Sequence, residues 1–118
     1  MPHLILEASS NIVETNDKIK QTLQKCQNLL VEKLPTQLAS CKSRLILHDV
    51  FILADNQERN AFVHLTVKLL KGRSAELLLC ETSANLQSLL YAEFNKSASQ
   101  LALGISVEIT ELNDSYAK

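Results

Sequence analysis

Pro2 is the first residue in this sequence with a chemical use of its own. It follows Met1, and because proline is small the initiator methionine is expected to be trimmed, leaving a free proline amine. A proline inside a chain is an amide without basicity. A terminal amine titrates at about pH 8, and in an apolar cleft beside cations it titrates lower and serves as a general base at neutral pH. The segment that follows, His3-Leu4-Ile5-Leu6-Glu7-Ala8, is strongly apolar, as a core strand is and a frayed tail is not. The amine is therefore expected to be held in place. A second chemical feature stands far along the chain: the turn Gly72-Arg73-Ser74, which offers a cation at the start of a helix.

The elements that position these residues read as a repeat. Residues 61–71 alternate, with Val63, Leu65, Val67 and Leu69 on one side and His64, Thr66 and Lys68 on the other, as a strand with one buried face does. Residues 105–111 alternate likewise, and the stretch from Arg44 to Leu53 reads as a longer strand bent around His48-Asp49. Ile19, Leu23, Cys26 and Leu30 recur at helical spacing behind the capping residues Thr15-Asn16-Asp17. Leu79, Leu86, Leu90, Phe94 and Leu101 form a second helical stretch, with Ser74 as its expected cap. The order strand, helix, strand thus occurs twice, in residues 2–53 and 61–111, with a linker over 55–60.

Two βαβ units with parallel strands in each predict an α/β (α+β) fold: a four-stranded sheet with two helices on one face, all in one domain over residues 1–118. The other sheet face is left bare. Strands apolar on both faces, such as 44–53, predict cover by a symmetric oligomer. The first half has no cation where the second has Arg73, and the second half has no free amine, so each half holds one part of a divided site.

Composition narrows the function classes. A chain of 118 residues has room for one core. A net charge of −1 argues against a general nucleic-acid binder. Cys26, Cys41 and Cys80 are odd in number with no Cys-x-x-Cys spacing, which suits a reducing cytoplasm. His3, His48 and His64 lie far apart, so no metal-ligand spacing occurs. The amino-terminal stretch lacks the basic start of a signal peptide, and no window has the apolar length of a membrane span.

Several stretches taken together are specific: Met1-Pro2-His3, Asn11-Ile12, Ser43-Arg44, Ala54-Asp55, the run from Ala61 to Lys68, Gly72-Arg73-Ser74, and Glu108-Ile109 with Glu111-Leu112. In these the chain resembles the tautomerase superfamily over nearly its whole length, and within it the 5-carboxymethyl-2-hydroxymuconate isomerases. The resemblance implies a homotrimer of double βαβ subunits, catalysis by the amine of Pro2, and no cofactor. It implies substrates that are unsaturated keto or enol acids from aromatic-ring degradation. Arg73 matches an arginine of the family's Gly-Arg-Ser turn, and Arg44 matches the second arginine of an Arg-Ser-Arg stretch. Lys42 stands in place of the first, keeping the charge but not the bidentate fork.

Such roles are chemically coherent. A proton shift along a conjugated acid needs a base that returns the proton and cations where the dienolate and carboxylates sit. On charge alone the arginines would read as surface partners of Asp or Glu. His64 reads as a structural histidine or a site wall, and Phe62 as core or a pocket wall. Two other classes stay open from sequence: a hydratase or dehalogenase that keeps the proline, and a trimeric binding protein without catalysis.

Overall fold

A computed structural model describes residues 2–72 and 74–118. The first strand, β1 (His3–Ser9), alternates as its sequence requires: Leu4, Leu6 and Ala8 are fully buried, and His3, Ile5 and Glu7 are half-buried. Helix α1 (Asn16–Lys33) begins where Thr15, in extended conformation, accepts a hydrogen bond from the Lys18 amide at 3.2 Å. It ends at Leu34, whose extended backbone is what the following Pro35 demands. After a short 3-10 turn come β2 (Lys42–His48), β3 (Asn60–Leu69), α2 (Glu76–Glu93), α3 (Asn95–Gln100) and β4 (Ala102–Glu111).

The sheet order is β2-β1-β3-β4. β1 runs parallel to β2, β3 runs parallel to β4, and the central β1–β3 pair is antiparallel. Each parallel pair brackets one long helix. Both helices lie on the face that carries Leu4, Leu6, Val63, Leu65 and Val67, and they fill it with Ile19, Cys26, Leu30, Leu86, Leu90 and Phe94. Lys18 and Lys25 of α1 both bond the Glu93 carboxylate at the end of α2, which ties the two helices together. Cys26 is fully buried beneath them. Burial, and then the nearby Glu93 charge, pushes its thiol up to about 12.

Four boundaries differ from the sequence reading. The strand expected over 44–53 stops at His48, because its partner β1 ends at Ser9, the residue paired with His48. Val50 and Ile52 then point into solvent, 94% and 74% exposed. β4 starts at Ala102 rather than 105, since β3 continues to offer it pairing down to Asn60. The second helix breaks at the buried Phe94. There Ser97 is captured by the first half of the chain: its amide donates to Glu14 at 3.0 Å, its hydroxyl donates to the same carboxylate, and it accepts from the Val13 amide at 2.9 Å. Ser74 does not cap α2; Ala75 holds that position without a side-chain bond.

The residues expected as a linker form an ordered turn. The Asn60 amide side chain donates at 3.0 Å to both Leu53 O and the Asp55 carboxylate. The bare face also differs from expectation. The register places His3, Glu7, Lys42, Arg44, His48, His64, Thr66, Lys68, Ser106 and Glu108 on it, so that it is largely polar, with Ile5, Ile46 and Phe62 as its main apolar members. Phe94 is the largest of the fully buried side chains. Phe94→Ala is expected to cost about 3–5 kcal/mol of stability, read as a lower urea midpoint in chemical denaturation.

Candidate active site

Pro2 lies at the tip of β1, where its carbonyl accepts the Lys42 amide at 3.0 Å. Its ring is buried and lines a cavity of about 20 Å³ with Leu34, Pro35, Leu69, Leu70 and Ser74. That volume admits one water-sized group. Leucine and proline side chains line part of it, and such surroundings disfavour a charged amine. Thr36 and Ser74 are its polar members, and the Ser74 Oγ is buried with no hydrogen-bond partner. The residue expected to cap a helix is thus a wall of the proline's cavity.

Arg73 lies outside the described residues. Among the described residues, neither Lys42 nor Arg44 lines the proline's cavity. Both are exposed on the bare sheet face, and there they gather around His3, the residue bonded to Pro2. Lys42 and Lys68 are the cross-strand neighbours of His3 on its two sides, and Arg44 is paired with Ile5, two residues on. The Arg44 Nη1 donates to His3 Nδ1 at 3.1 Å. An arginine can only donate, so Nδ1 accepts and the ring proton sits on Nε2. Nε2 in turn bonds the Tyr116 hydroxyl at 2.9 Å, and the two rings meet edge to face at 5.7 Å. Desolvation by burial, then the charges of Arg44, Lys42 and Lys68, lower the His3 pKa.

The arrangement is a row of cations at the proline's end of the sheet, with a neutral histidine at its centre. Like charges flanking one position across a sheet repel, and an anion resting on them relieves that repulsion. A carboxylate is therefore the ligand this row suits. His64 takes the structural option: its Nδ1 bonds the Ser106 hydroxyl at 2.6 Å. Phe62 packs by its ring against His48, with centroids 5.9 Å apart. Among the described residues no cluster of His, Cys, Asp or Glu could hold a metal ion, and no helix is long and apolar enough to cross a membrane.

His3, Lys68 and Tyr116 are neighbours of this end of the sheet that sequence reasoning did not single out, and Ser74 was read only as a cap. The alternation of residues 61–71 already put Lys68 on the polar side of its strand. Its place beside His3 depends on the antiparallel β1–β3 register, which no local signal reveals. Tyr116 arrives from 113 residues away.

Solved structures share the architecture. A 5-carboxymethyl-2-hydroxymuconate isomerase from Deinococcus radiodurans R1 superposes with a TM-score of 0.84 at 31% identity, over 99% of this chain and 88% of that one. A fused 4-OT symmetric trimer shares the fold at 18% identity, with a TM-score of 0.70, over 98% of this chain and 89% of that one. The fold is that of the tautomerases, a four-stranded mixed sheet carrying two main helices. In sequence, the chain is 34% identical to the 5-carboxymethyl-2-hydroxymuconate Delta-isomerase of Escherichia coli over 113 residues, 96% of this chain and 88% of the relative. The profile of the 5-carboxymethyl-2-hydroxymuconate isomerase family matches residues 2–118. The chain belongs to this family of isomerases.

The lowered His3 pKa has a consequence for stability. Below its unfolded value of 6.5 the unfolded chain binds more protons than the folded one. The contribution of neutral His3 is whole above that pH and is lost as pH falls through the folded value. The melting temperature of His3→Asn is expected to fall less than that of the wild type between pH 6.5 and the lower, folded-state value, measured by circular dichroism across a pH series.

Proposed function

We propose that the chain isomerises 5-carboxymethyl-2-hydroxymuconate or a close relative, an unsaturated 2-hydroxy or 2-oxo acid, with the amine of Pro2 as the base. The observation that carries this reading is the row of cations around His3, one residue from a buried proline that lines a small cavity. The cations draw the carboxylates of a di- or triacid, and Pro2 takes a proton from one carbon of the conjugated system and returns it to another. The same positive charge and low polarity depress the amine's pKa, so that it is free to accept a proton near neutrality. Arg44, Lys42 and Arg73 are the carboxylate-binding groups in this reading. Arg73 precedes α2, whose amino-terminal end adds to the positive potential.

Lys42 and Arg44 stand on the bare face, apart from the cavity behind Pro2, so a neighbouring subunit that brings its own cations would complete the site. We propose a homotrimer. Its support is the fold shared with a symmetric trimer and the exposed Val50 and Ile52 beside the edge strand β2. The three cysteines are free thiols, in keeping with a cytoplasmic enzyme of aromatic-compound catabolism.

The decisive measurement follows the ultraviolet absorbance of 5-carboxymethyl-2-hydroxymuconate on adding protein. Pro2→Ala leaves a primary amine and is expected to cut turnover substantially, and a chain with one extra residue before Pro2 to cut it further. Full activity in the extended chain would sink the proline mechanism. Light scattering is expected to give about 40 kDa, three times the 13.2 kDa chain. A stable monomer would overturn the trimer.

A further inference from the structure

The carboxy-terminal segment builds a second cavity at the proline's end of the sheet. After β4 the Leu112 amide bonds Leu69 O at 2.6 Å, which keeps the chain against the end of β3. A turn centred on Asn113 follows, its carbonyl accepting the Tyr116 amide at 2.9 Å and its side chain accepting the Ser115 amide at 3.0 Å. Tyr116 is thereby carried back over the bare face to its bond with His3. Between this strap and the sheet lies an open pocket of about 400 Å³, walled by Lys68, Thr110, Glu111, Asn113 and Tyr116. Its size falls within the range of small-molecule sites.

Lys68 is the cation of that pocket. It is half-buried, and among the described residues no carboxylate pairs with it. The nearby acids are engaged elsewhere: Glu111 accepts the Gly72 amide at 2.5 Å, and Asp114 lies 3.7 Å from Lys71. A lysine lays its stem along the sheet and keeps its ammonium at the surface, where a ligand carboxylate can pair with it. The hydroxyls of Thr110 and Tyr116 offer further donors in the same walls. In register Lys68 is opposite His3, one residue step, about 3.3 Å along the strand, from Pro2.

We propose that Lys68 binds a carboxylate of the substrate in the pocket under the carboxy-terminal strap. An acid so anchored lies at the same end of the sheet as Pro2, one residue step from it along β1. The assignment rests on the isomerase reading above and adds a cation to it that is distinct from Arg44, Lys42 and Arg73.

Two readouts test it: steady-state kinetics with 5-carboxymethyl-2-hydroxymuconate, and calorimetric binding of tricarballylate, a saturated tricarboxylate. Lys68→Met is expected to raise both KM and the tricarballylate Kd about tenfold or more, as loss of a charge-assisted bond does, with kcat moved far less. Lys68→Arg is expected to recover most of the loss. If Lys68→Met does not fold, Lys68→Gln gives the same comparison. Unchanged KM and Kd in a folded variant would overturn the assignment. A wild type that binds tricarballylate through Lys68 yet turns over no substrate would remove the isomerase reading and leave the binding site standing. Absence of tricarballylate binding to the wild type would overturn the site itself.

Discussion

The antiparallel pairing of β1 with β3 is the contact on which the rest of the molecule depends. It joins the two βαβ halves and runs through the centre of the sheet. Side chains alternate along a strand, so a slip of one residue would turn Leu4, Leu6 and Ala8 out of the core and His3 and Glu7 into it. The buried Val63, Leu65 and Val67 on the facing strand hold the register against that slip. The register then places His3 beside Lys68 and brings Pro2 next to Leu69 and Leu70. Packing on one face thus sets the positions of charges on the other.

Those charges are unevenly distributed over the bare face. Lys42 and Lys68 flank one histidine, and Arg44 donates to its ring. Further along the same face a carboxylate is interleaved, where Glu7 meets His48 at 3.0 Å. The two ends of one face thus differ in charge, and the proposed substrate site is at the cationic end. Neutral His3 lets the cations approach: it accepts from Arg44 and adds no charge of its own, and a protonated ring could do neither.

Much of this was legible in the residues. The period-two run from Ala61 to Leu69, the helical spacing of Ile19, Leu23, Cys26 and Leu30, and the Thr15 cap are local signals, and each element stands where its signal lies. The family could also be seen, because its motifs are short and contiguous. What escaped was set by partners distant in sequence. β2 ends where β1 ends, whatever the apolar character of Val50 and Ile52. The second helix breaks where Glu14, more than eighty residues earlier, captures Ser97. Ser74 had the right type and place for a cap, yet its hydroxyl faces the proline's cavity instead. Sequence alone suggests the proline, the arginines and Lys42 as candidates, whereas the neighbourhood of Lys68 and Tyr116 depends on the pairing of β1 with β3 and the fold of the carboxy-terminal strap.

The burial of Cys26 turns the chain into its own reporter. With the thiol pushed up to about 12 and no exposed surface, the native protein offers an alkylating reagent almost no thiolate there. Cys80, on the outer side of α2, is open to the same reagent. One labelling experiment therefore carries a clock and its reference. The rate at Cys80 gives the intrinsic chemistry, and the lag at Cys26 measures how often α1 lifts from the sheet. A bound ligand that slowed the Cys26 reaction while leaving Cys80 untouched would reveal that occupancy of the site is felt through the sheet, on the side where the helices rest.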